Sequence, residues 1–163
     1  MTKDNVLGIL LVEDDDDHAE IVARGLANSS VEIRLHRVCD GEAALDYVFH
    51  RGRYADPELS PQPGVILLDL RLPMLDGIGV LRCIKEAPGL RNIPVVVLTT
   101  SHAKRDILAA YENHANSYLV KPTEFREVNA MTQTLSTYWL TWNRAAFEND
   151  TPGQKTENNR GSE

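Results

Sequence analysis

Cysteine is almost missing from this chain. Cys39 and Cys83 are the two present in 163 residues, and they form no Cys-x-x-Cys pattern. A disulfide-stapled scaffold and a cysteine zinc site are thereby excluded, and reduced thiols in a cytoplasmic protein are expected. Long apolar runs are missing too, since no stretch approaches the roughly 20 residues of a membrane span. The opening residues, MTKDNVLGILLVEDDDDH, hold one short apolar run that ends in acid, without the basic start and longer apolar core of a secretion signal. Positive charge is scarce: Lys+Arg 17 stand against Asp+Glu 24, a net charge of -7. Such a surface repels phosphate backbones and anionic lipid, so neither nucleic acid nor membrane is an expected partner. The histidines His18, His36, His50, His102 and His114 have no metal spacing and read as surface or satisfied residues. The length suits one compact domain, whose core the 42% hydrophobic content can fill.

What is present is an alternation. Short apolar runs, VLGILLV (6–12), VEIRLHRV (31–38), GVILLDL (64–70), IPVVVLTT (93–100) and NSYLVKP (116–122), are separated by segments of helical period. Four of these runs are apolar on both faces, as in a parallel sheet covered on each side. Five repeats of strand and helix predict an α/β doubly wound sheet with helices on both faces. Asp40, Ser101 and Thr123 are placed to cap helices. RGRYADPELSPQPG (51–64), rich in Pro and Gly, predicts a long surface loop before the third strand. The expected organisation is a leader over 1–5, one domain over 6–146 with an extended last helix, and a disordered tail over 147–163, where almost nothing is apolar.

Open parallel sheets bind ligands beyond the carboxyl ends of their strands. Here those ends carry Glu13 to Asp17, then Asp69, Thr99 and Lys121. Crowded carboxylates raise one another's proton affinity unless a cation compensates them. An oxygen-only ligand set suits Mg2+, with Mn2+ as a substitute, and leaves coordination room for phosphate oxygens. A carboxylate can attack phosphorus to form an aspartyl phosphate when the phosphoryl oxygens are neutralised, which a metal and the Lys121 ammonium can do.

LLVEDD (10–15), LLDLRLPMLDG (67–77), VVLTTS (96–101) and YLVKP (118–122) resemble, in order and at strand ends, the response-regulator receiver family. The resemblance covers residues 6 to 140. It implies a flavodoxin-like strand order 2-1-3-4-5 and a phosphorelay protein that takes a phosphoryl group from a sensor histidine kinase, acting on no separate substrate. It makes Asp69 the phosphoacceptor, with Glu13, Asp14, Asp69 and the Arg71 main-chain carbonyl as metal ligands. Thr99 and Lys121 would contact the phosphoryl group, Thr99 and Tyr118 would form the switch, and the bond between Lys121 and Pro122 would be cis. Where many relatives have Gly after the fourth helix, this chain has His114. Arg71 and Ser101, two places beyond Asp69 and Thr99, are positioned to influence loss of the phosphoryl group. The long loop, ANSYLVKP and the YWLTW ending are similar to regulators that partner phytochrome-type sensor kinases.

The plainer readings differ in weight. Asp15 to Asp17 read as a solvated acidic helix start. Tyr118 competes as ordinary packing, and Met74, Cys39 and Cys83 are packing residues. An aspartyl-phosphate phosphohydrolase would need a second acid two places after Asp69, where Arg71 stands. A flavin carrier would not place EDDDD against the flavin phosphate, and a receiver-like interaction module that is never phosphorylated would not need the Asp69, Thr99 and Lys121 set. From Phe125 an apolar stripe through Val128, Met131 and Leu135 ends in Tyr138, Trp139 and Trp142 on a helix of about 20 residues, longer than the sheet requires. A symmetric homodimer burying Tyr138, Trp139 and Trp142 is expected.

Overall fold

The structure is a computed structural model that describes residues 6–145. The expected leader and tail, and residue 146, lie outside the described residues. The chain runs β1 (Leu7–Val12), α1 (Asp16–Ala27), β2 (Ile33–Val38), α2 (Gly41–Val48), a 3-10 turn (Gly52–Tyr54), β3 (Val65–Leu68), α3 (Gly77–Glu86), β4 (Val95–Thr99), α4 (Lys104–Glu112), β5 (Ser117–Val120) and α5 (Phe125–Thr137), which continues as a π-helical turn (Tyr138–Trp142). All strand pairings are parallel, in the order β2-β1-β3-β4-β5. No helix among the described residues is long and apolar enough to cross a membrane.

The alternation of side chains along a strand divides the core in two. Ile9, Leu11, Val65, Leu67, Val96 and Leu98 face α1 and α5, while Leu10, Val12, Ile66, Leu68, Val95 and Val97 face α2, α3 and α4. This is why the central strands are continuously apolar in sequence.

Asp40 caps α2 as expected, accepting the Ala43 amide at 2.7 Å. Ser101 and Thr123 do not cap: α4 and α5 start after Ala103 and Glu124 with no side-chain cap. The Ser101 hydroxyl instead donates to Asp106, so it is committed to a side chain. Asp15 and Asp76 cap α1 and α3. The loop over 51–64 is anchored as well as exposed. Ser60 is fully buried, 2.8 Å from the Tyr54 carbonyl, and Tyr47 donates its hydroxyl to the Pro61 carbonyl at 3.0 Å. His114 takes the left-handed turn, at φ 68°, despite its Cβ.

Candidate functional site

Sheet register assembles the site. Val12 pairs with Leu68, so the residues that follow, Glu13 and Asp69, leave adjacent strand tips together. Thr99 pairs with Val120, which sets Lys121 next across. The Lys121 amide donates to the Thr99 carbonyl at 2.7 Å and fixes that tip. Glu13 and Asp69 are buried, at 1% and 7% exposure, whereas Asp14 is exposed.

Lys121 joins the two buried acids, donating to Asp69 Oδ2 at 2.9 Å and to Glu13 Oε2. Burial pushes the Glu13 carboxyl above the usual range; the bond and charge of Lys121 oppose that shift, and the Asp69 charge adds to it. Carboxylate oxygens of Glu13, Asp14 and Asp69 lie within 4.8 Å of one another. Three carboxylates against one ammonium leave a local excess of about two negative charges, which a divalent cation matches. The hard oxygen donors fit such an ion, with Asp14 on the open side.

The connection after β3 is tightly built. The Arg71 amide donates to Asp69 Oδ1 at 3.2 Å, and the Gly77 amide donates to the Leu70 carbonyl at 3.0 Å. A Cβ on Gly77 would stand 2.2 Å from the Asp69 carbonyl oxygen, and one on Gly41 would stand 2.0 Å from that of Leu75. Glycine at both places lets the loop fold back beneath the acceptor. Met74, in the same loop, is exposed and left-handed at φ 69°, and so is no packing residue.

Thr99 is fully buried, and its Oγ1 lies 3.4 Å from the Ser101 amide rather than on Asp69. Tyr118 is half-buried and donates its hydroxyl to the Ser101 carbonyl at 2.8 Å; burial raises its phenol above the ordinary range. The Arg71 guanidinium lies 3.8 Å from the Asp106 carboxylate. The bond between Lys121 and Pro122, expected to be cis, is trans. Trans is the isomer an X-Pro amide favours by about 0.5–1 kcal/mol unless the fold selects otherwise.

Sequence reasoning missed two residues at the site. Arg37 on β2 donates to the carbonyls of Glu13 at 3.0 Å and Asp14 at 3.3 Å and pairs with Asp16 at 2.8 Å, holding the acidic turn. Its signal was a basic residue at the end of the strand beside β1. His18, read as a surface or satisfied residue, lies 3.3 Å from Lys121 Nζ. Asp15 does more than add potential, since it accepts the His18 amide at 2.9 Å, which holds its carboxyl below the usual range. A cavity of about 390 Å³ lies between α1 and β2, away from these acids in the fold, and its lining holds no titratable cluster.

The Tyr138, Trp139 and Trp142 cluster is divided. Trp139 is partly buried against the core of its own chain, while Tyr138 and Trp142 are 51% and 74% exposed.

Comparison with known proteins shows the family. The family model of the response regulator receiver domain matches residues 9–133. The probable methanogenesis regulatory protein FilR2 of Methanothrix harundinacea is 45% identical over 138 residues, 84% of this chain and 86% of that protein. Response regulator Rcp1 of Synechocystis is 44% identical over 132 residues, 81% of this chain and 88% of Rcp1. The crystal structure of Mn2+-bound Rcp1 superposes with a TM-score of 0.79 at 42% identity, covering 85% of this chain and 98% of that one. The phosphorylated cyanobacterial phytochrome response regulator RcpA gives 0.82 at 36% identity, covering 86% and 99%. The family model, the relatives and the shared fold make this chain a member of the response regulator receiver family, a protein of two-component signalling with an acidic site suited to a divalent metal.

Proposed function

We propose that Asp69 accepts a phosphoryl group from a sensor histidine kinase of the phytochrome type, with Mg2+ held by Glu13, Asp14, Asp69 and the Arg71 main-chain carbonyl. The observation that carries this reading is the buried Lys121 bridge between Asp69 and Glu13, set among three carboxylates. An Asp69 carboxylate oxygen attacks phosphorus; the new O–P bond forms as the P–N bond of phosphohistidine breaks, and its electron pair leaves on the imidazole nitrogen. The bound metal would supply charge neutralisation at the phosphoryl oxygens. Lys121 neutralises a further oxygen, and the Thr99 hydroxyl donates to another once it turns from Ser101. That turn frees space at β4, and Tyr118 follows it, so that charge at Asp69 alters the surface of α4 and β5.

No separate substrate is turned over. The second acid that hydrolysis of a phosphorylated Asp would use is replaced by Arg71, whose side chain is engaged with Asp106. The phytochrome-type donor is supported by the likeness to Rcp1 and RcpA. The signal passes on in the cytoplasm by protein contact, not through nucleic acid, in keeping with the net charge of -7. A symmetric homodimer through the end of α5 is part of this reading, supported by the exposure of Tyr138 and Trp142.

The test is incubation with Mg2+ and a small acyl phosphate, followed by intact mass measurement. Wild type should gain about 80 Da and Asp69→Asn should gain nothing. Equal labelling of both proteins would move the acceptor elsewhere.

A further inference from the structure

We propose that His18 is a positioning residue for Lys121: its imidazole Nδ1 holds the third hydrogen of the ammonium until a phosphoryl oxygen takes that place. This rests on Asp69 being the phosphoacceptor. A lysine ammonium has three donors and no acceptor. In this structure each donor has a partner, namely Glu13 Oε2, Asp69 Oδ2 at 2.9 Å and His18 Nδ1 at 3.3 Å. Because Lys121 can only donate, Nδ1 accepts, and the ring proton sits on Nε2. The nearest carboxylate oxygens to Nδ1, on Glu13 and Asp15, are both 4.0 Å away, beyond hydrogen-bonding reach. The contact with Lys121 is therefore the one that Nδ1 makes among the described residues.

The fold holds the imidazole there. Asp15 caps α1 by accepting the His18 amide, which fixes the backbone of His18 in the first helical turn, one step from the acids. Arg37 in turn braces the carbonyls of Glu13 and Asp14.

The chemistry decides which partner leaves. A bond from an ammonium to a carboxylate adds charge attraction that a bond to an uncharged acceptor lacks, so it is the stronger of the two. Of the three partners, His18 is the one that is not a carboxylate and the most distant. Its side chain is 42% exposed, so it can swing outward without leaving a buried gap. When phosphorus arrives at Asp69, the ammonium turns the hydrogen held by His18 to a phosphoryl oxygen and keeps Glu13. The imidazole thus keeps the ammonium aimed at the acceptor without competing with the group that arrives.

Three variants of the full chain test this with Mg2+ and acetyl phosphate: His18→Leu, which has no acceptor; His18→Asn, whose Oδ1 can accept where Nδ1 does; and His18→Ser, polar but too short to reach. His18→Leu and His18→Ser should lower the maximal phosphorylation rate about three- to tenfold, as a less well aimed ammonium implies, with the half-saturating donor concentration little changed. His18→Asn should recover at least half of the rate. Thermal melting of all three should match wild type. Two results would overturn the proposal: wild-type rates in His18→Leu and His18→Ser, or His18→Asn as slow as both. Asp69→Asn, measured alongside by intact mass, separates the two failures. If it labels like wild type, the acceptor assignment is wrong, and if it stays unlabelled while every His18 variant reacts at the wild-type rate, only the role of His18 fails.

Discussion

Tyr47 carries its phenol into the interior, with its ring against His36 and Tyr54 and its hydroxyl on the Pro61 carbonyl. Burial, the larger cause, and the neighbouring Tyr54 push it up to about 12 from an ordinary 10. The neutral phenol is therefore favoured by the fold. Its contribution to stability is complete below pH 10 and is lost as pH rises through about 12. Absorbance titration should show that one of the five tyrosines ionises last, and Tyr47→Phe should remove that late step. The same variant leaves the Pro61 carbonyl short of a partner and should cost about 1 kcal/mol in urea unfolding. At this scale legibility in the sequence depended on neighbours. Asp69 and Lys121 were readable because each stands at the end of an apolar strand, where a charged group has no packing reason to be. His18 and Arg37 were not, because their partners lie 103 and 24 positions away along the chain and only the register brings them close.

Helix α1 meets α5 at Gly25, where a Cβ would fall 2.2 Å from Thr132 Oγ1 and 3.0 Å from its Cβ. Alanine would add about 1 kcal/mol of helix propensity at position 25, yet a clash that short between two packed helices forces them apart. Overpacking of this kind costs about 1–3 kcal/mol, so Gly25→Ala should lower stability despite the better helix former. Adding Thr132→Ala should recover part of the loss, since the 2.2 Å contact goes and the 3.0 Å one stays; a double-mutant cycle followed by thermal melting measures both. The apolar stripe of α5 was readable at Val128, Met131 and Leu135, but Phe125 is 52% exposed. Thr132 and Ser136 are buried in its stead, and no hydrophobic pattern marks them. Their hydroxyls bond to the carbonyls of Val128 and Gln133 in their own helix, so burying them leaves nothing unpaired.

Strand and helix alternation established the class of the whole molecule. The order 2-1-3-4-5 came from the resemblance, because central strands apolar on both faces look alike in sequence. Assembly of two copies is the remaining question at this scale. Tyr138 and Trp142 stand out from the end of α5 while Leu140 between them is buried, so the π-helical turn presents two aromatics on one exposed side. An aromatic at the centre of a symmetric interface contributes twice, and its loss commonly costs 2 kcal/mol or more, on the order of 30-fold in dissociation constant. Trp142→Glu should therefore yield a monomer at concentrations where wild type is dimeric, with stability unchanged because Trp142 packs little on its own chain. Each copy carries -7, so association opposes charge repulsion. Raising salt from about 0.01 to 0.15 M shortens the screening length from about 30 to 8 Å and should strengthen the dimer. Sedimentation velocity at both salt concentrations measures this directly. A wild type that stays monomeric at high protein concentration in both, with and without phosphorylation, would show that the two aromatics serve a different partner.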